Sequence, residues 1–333
     1  MNDFYAPDDT RDALRKIGGL LLGIGVLMLL FRKGEDMSDF VQFLLFAVMA
    51  VYLYGAVFTT QYTGGSPRAW TAVHSVFGLI FVPLALFQLI EVLDGSPSEL
   101  NTFWIFGVTA ALAFYAGAVK GIRFHLLAGS IATIIAWSAI WDKLLGDEGI
   151  AGHFGVYRGL LGILSIILLV GALYLWRRDD DVNVAGTATD DGGDKGAWKA
   201  SELITGAGIS AIIATALGIT AAATFFGPLG FTEFTVVQTG NVWDVLLLLV
   251  SLGLIGLGSL IGTRGPVYIG AIGLTLFLFI VGLDLNDDTP EPEKLGIWPI
   301  ILLVGGALAI LLSGVKDASL GDGPRKFLQN LRK

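Results

Sequence analysis

Cysteine is absent from this chain, which excludes disulfides, thiolate metal centres and cysteine nucleophiles. Charge is scarce: Asp, Glu, Lys and Arg make up 15% of 333 residues, and there are three histidines. The ionisable groups that do occur beside apolar runs gather at their ends, Glu91, Asp94, Asp142, Arg158, Asp244 and Asp284 at one set and Glu202 at the other. An ion-coupled carrier usually needs a carboxylate or a broken helix near the bilayer midplane, and Pro83 is the clear interior breaker here, so that class is disfavoured. No Gly-rich phosphate loop, zinc signature or Ser nucleophile elbow stands in a suitable context, so no motif supports enzyme chemistry. The period-2 segments of an outer-membrane barrel are also missing.

What is present is apolar. Hydrophobic residues make up 54% of the chain and the mean hydropathy is +0.72, more than a soluble domain could bury. Runs of about 15 to 25 apolar residues match a hydrocarbon core of roughly 30 Å, and helices satisfy their own backbone hydrogen bonds within it. The pattern predicts an all-α polytopic integral membrane protein with ten transmembrane helices near 17–31, 39–60, 69–93, 102–119, 122–141, 157–176, 201–226, 243–262, 266–284 and 296–315. A charged stretch, Asn2 to Lys16, precedes the first run and no small-residue cleavage site follows Phe31, so the first helix is expected to be an uncleaved span. Trp70, Trp104, Trp141, Trp176, Trp243 and Trp298 fall near span ends, where an amphipathic ring prefers the headgroup level.

With the N-terminus inside, sixteen Lys and Arg lie on the cytoplasmic side and five opposite, which places both termini in the cytoplasm of a cell (inner or plasma) membrane. The carboxylates then leave the external face near −11 and the internal face near +3.

The middle of the chain recurs in its second half. Gly117, Gly121, Arg123, Gly129, Ile131, Asp147, Gly155 and Leu161 reappear without a gap as Gly258, Gly262, Arg264, Gly270, Ile272, Asp288, Gly296 and Leu302. The expected organisation is a cytoplasmic N-terminal segment (1–16), two leading helices (17–66), a four-helix unit (67–176), a hydrophilic cytoplasmic linker (177–199), a second four-helix unit in the same orientation (200–315) and a basic cytoplasmic tail (316–333). Four spans return the chain to its starting side, so this tandem repeat differs from the inverted repeats of many transporters.

Candidate site residues are few. Glycines four apart let helix backbones approach, so Gly117, Gly121 and Arg123, with Gly258, Gly262 and Arg264, are read as a helix-packing motif, within the chain in preference to a homo-oligomer seam. His74 and His125 enter from the same side and with Gln88 are the candidates for a cavity; two facing imidazoles could ligate one b-type haem, although no cofactor is expected. Asp284, Asn286 and Asp288 alternate as a candidate external cation site, but Thr289 and Leu295 stand where a calcium loop needs Gly and Glu, so a solvated acidic loop is preferred and no metal is assigned. The implied partners are membrane lipids, which the basic tail around Phe327 and Leu331 would also meet, and not nucleic acid. The function expected is packing, scaffolding or passive conduction. The alternatives are a small-molecule or lipid transporter using the crevice between repeat units, and a membrane redox protein.

Overall fold

The computed structural model describes residues 8–59, 69–96, 98–120, 122–146, 153–183, 195–216 and 242–282. The tenth expected span, the candidate cation site at 284–288, Gly121 and the basic tail lie outside the described residues. Within them are nine α-helices and no strand: α1 (Asp8–Lys33), α2 (Asp39–Thr59), α3 (Ala69–Val92), α4 (Glu99–Lys120), α5 (Arg123–Leu144), α6 (Phe154–Asn183), α7 (Lys195–Ala216), α8 (Val242–Ile261) and α9 (Arg264–Gly282). Seven of these, α1 to α6 and α8, are long and apolar enough to cross a membrane, and α9 contributes a shorter apolar helix. Large apolar side chains point outward, with Val51 at 74%, Leu21 at 63% and Ile166 at 61% exposure. Such a surface is costly in water and ordinary against lipid tails.

Helix ends extend past the expected spans. α1 starts at Asp8 and its 26 residues reach about 39 Å, longer than the hydrocarbon core. α6 continues through Arg177 to Asn183, and α7 already begins at Lys195, so helix enters the hydrophilic segment 177–199 from both sides. Hydropathy marks where lipid ends, whereas a helix can run on into water because its backbone bonds are internal.

The helices form two compact units, α1 to α5 and α6 to α9. The division falls between α5 and α6, inside the segment 67–176 that the sequence pattern groups together. Lipid tails are as apolar as leucine, so helices in a membrane associate through close packing and polar contacts more than through hydrophobic transfer. In the first unit α2 and α3 pair around Phe46, Met49, Ala50, Leu53, Phe81 and Ala85, while Tyr54, Leu79, Ala113 and Ala116 join α2, α3 and α4. A Cβ on Gly78 would stand 2.8 Å from the Tyr54 backbone nitrogen, so glycine there permits near backbone contact. In the second unit α6 and α7 exchange hydrogen bonds: the Ser165 hydroxyl donates to the Ala207 carbonyl and the Ser210 hydroxyl to the Leu161 carbonyl, each at 2.9 Å.

Hairpins α4–α5 and α8–α9 share a contact pattern. A Cβ on Gly117 would lie 2.7 Å from the Leu126 side chain and 3.0 Å from its backbone nitrogen. One on Gly258 would lie 2.7 Å from the Val267 side chain and 2.9 Å from its nitrogen. Gly129 meets Phe114 as Gly270 meets Ile255, both at 2.8 Å. Each of these residues stands 141 positions from its counterpart. The α8–α9 turn closes through Gly262 at φ +74, with the amides of Gly262 and Thr263 donating to the carbonyls of Ser259 and Gly258. α3 ends in the same way with Asp94, at φ +55, in the left-handed position.

Candidate functional site

α3 carries two of the three cavity candidates, but they belong to different places. His74 and Gln88 are fourteen residues apart, which at 1.5 Å per residue is about 21 Å along one helix. Buried Gln88 donates from Nε2 to Glu91 Oε2 at 2.6 Å and to Asp39 Oδ1 at 3.4 Å. Its amide therefore ties the last turns of α3 to the first turn of α2.

His74 lies beneath α1. Its Nδ1 is 3.0 Å from the Trp70 carbonyl, its ring meets the Trp70 indole edge to face at 5.0 Å, and Gly19 of α1 packs on the imidazole. One turn along α3, Phe77 packs against Gly23 of α1. One turn the other way, the Arg15 guanidinium covers the Trp70 ring at 5.4 Å from its centroid. Arg15, Gly19 and Gly23 thus meet Trp70, His74 and Phe77 in order, a parallel helix pair read at intervals of one turn.

His125 occupies another interface. Its imidazole is fully buried, stacks on Tyr54 of α2 with centroids 5.7 Å apart, and has Phe124 at its edge. Tyr54 in turn donates its hydroxyl to the Leu112 carbonyl of α4 at 3.1 Å. Among the described residues neither His125 ring nitrogen finds a hydrogen-bond partner. One imidazole is held under α1 and the other against α2, so the structure does not present them to a common iron. Among the described residues no group of three His, Cys, Asp or Glu side chains could hold a metal ion.

Gly117, Gly258 and Gly262 of the motif fall within their own hairpins. Gly117 and Gly258 face the next helix in the chain, and Gly262 is a turn residue whose positive φ closes α8. Arg264 opens α9.

Two contacts had no counterpart in the sequence reading. Arg158, 5% exposed near the start of α6, places its guanidinium 4.5 Å from the Trp243 centroid at the start of α8, and the Asp244 carboxylate acts on it electrostatically. Arg15 and Trp70 form a second such pair. Trp at a span end is ordinarily a headgroup anchor, and only the partner's position shows that each also binds a cation across its face.

The chain matches no family model, no curated protein and no solved structure.

Proposed function

We propose that this chain is a multi-pass protein of the cell membrane, with both termini cytoplasmic, whose role is to pack and scaffold within the bilayer. The observation that carries this reading is the reciprocal pair of hydroxyl bonds between α6 and α7, in which Ser165 and Ser210 are each spent on the opposite helix. Elsewhere Thr109, Ser130, Thr205 and Ser251 turn back onto carbonyls of their own helices, so these interior hydroxyls serve helix structure and helix contact. The matched glycine contacts of the α4–α5 and α8–α9 hairpins support a duplicated architecture in one orientation. Its frame is set by hairpins, and the twin contacts fall one in each compact unit.

The test is reconstitution of the full chain into vesicles loaded with a pH dye or a potassium dye and carrying a fluorescent lipid in one leaflet. Scaffolding predicts proton, potassium and lipid movement at the rate of protein-free vesicles. Protein-dependent movement of any of the three overturns the scaffold reading in favour of conduction or transport.

A further inference from the structure

The α1–α3 pair carries more than packing at its Trp70 end. An indole Nε1–H is a donor only, so whatever satisfies it must bring an acceptor. Trp70 is 6% exposed and, among the described residues, its Nε1 has no partner. Trp141 and Trp176 also carry buried, unpartnered indole nitrogens, but Trp70 alone of the three has a guanidinium shown over its ring. Trp70 is the second residue of α3, and side chains on a helix lean toward its N-terminus, so the indole stands at the positive end of the α3 dipole. Three attractions for an anion therefore coincide: a buried N–H donor, an exposed Arg15 guanidinium, and the start of a 24-residue helix.

We infer that Arg15, Trp70 and the first turn of α3 form a binding site for the phosphodiester group of an anionic phospholipid. The phosphate oxygens accept from Nε1 of Trp70 and from the guanidinium of Arg15, and the acyl chains descend along α1. Two features favour a lipid source. Leu22 and Leu29, seven and fourteen residues beyond Arg15 and so on its side of α1, are 40% and 43% exposed, an apolar track running into the bilayer from the level of Arg15. In the apolar window of α1 only 11% of the residues are buried, so this helix is held through few positions and a headgroup can enter beside it. The inference depends on α1 and α3 being membrane spans and does not depend on the scaffold role.

The experiment uses the purified full chain in neutral detergent and follows its melting temperature during titration with phosphatidylglycerol, phosphatidylcholine or inorganic phosphate. Phosphatidylglycerol is expected to give a saturable rise that phosphatidylcholine does not. Arg15→Gln should raise the half-saturating concentration about fivefold, as should Trp70→Phe, which keeps an aromatic ring but loses the N–H. Lys16→Gln removes an equal charge one residue away on an exposed position and should have a smaller effect than Arg15→Gln. Arg15 is itself exposed, so its variant tests the site even if the Trp70 variant fails to fold. Equal protection by both lipids, or equal effects of Arg15→Gln and Lys16→Gln, overturns the site. A saturable rise with inorganic phosphate that the same two variants weaken sustains phosphate recognition and overturns lipid as its source.

Discussion

The hydroxyl of Ser210 donates to the carbonyl of Leu161 across 2.9 Å, returning to α6 the bond that α6 makes to α7 through Ser165. Interhelical hydrogen bonds in membranes average about 0.6 kcal/mol and reach about 1.7 kcal/mol. Ser165→Ala and Ser210→Ala are each expected to cost about that amount, measured by unfolding in mixed micelles. Both hydroxyls draw the same two helices together, so the double variant should deviate from additivity by about 0.5 kcal/mol or more. Strict additivity would show that the two bonds act independently.

Gly117→Ala and Gly258→Ala should be destabilising in parallel, by about 1 to 3 kcal/mol each, because each new methyl meets a backbone nitrogen that cannot rotate away. Gly107 in α4 has nothing within 4 Å of a Cβ, so Gly107→Ala should instead be neutral or stabilising by up to about 1 kcal/mol. A tolerated alanine at Gly258 beside a damaging one at Gly117 would break the correspondence between the hairpins.

Asp94 holds φ +55 at the end of α3, a conformation glycine adopts without steric cost. The substitution Asp94→Gly is expected to raise stability by about 0.5 to 1 kcal/mol, read as a higher melting temperature. No change would mean that the aspartate side chain offsets its own backbone cost.

At His125 a ring nitrogen donor and a ring nitrogen acceptor lie buried without partners among the described residues, and the aromatic neighbours Tyr54 and Phe124 suit an apolar ring. Replacing such a group by an apolar one of similar shape is close to neutral or favourable, so His125→Phe should leave stability unchanged or raise it by about 1 kcal/mol. A Soret band in the purified protein that this variant removes would instead assign the ring to a haem.

The sixteen-to-five distribution of Lys and Arg gives a topology that the cysteine-free chain is well suited to report. In intact cells Lys143→Cys should react with an impermeant maleimide added outside, and Asp190→Cys should react only after permeabilisation. The reverse labelling would invert the orientation.

The membrane character and the helices were legible because apolar run length reports bilayer thickness directly. The azimuth of each helix was not. Lipid and protein interior are both apolar, so the sequence of α3 does not distinguish the face toward α1, with Trp70, His74 and Phe77, from the face toward α2, with Gly78. For this reason His74, Gln88 and His125 looked equally available for one cavity, although Gln88 is bonded at the α2 end and the two imidazoles belong to separate interfaces. The recurring spacing of the glycine motif was visible in the sequence. Its partners were not, because Leu126 and Val267 carry no mark of their own among so many aliphatic residues.

The pairing of Arg15, Gly19 and Gly23 with α3 sets an order on biosynthesis. α1 is synthesised before α2 and α3, yet the helix it packs on most closely is α3, and α2 must cross in the opposite direction before that partner arrives. During that interval the two glycines present a bare backbone groove to the surrounding bilayer. A nascent chain halted after α2 would hold α1 as an unclaimed helix, open to whatever insertion factor or neighbouring protein reaches that groove before Trp70, His74 and Phe77 do.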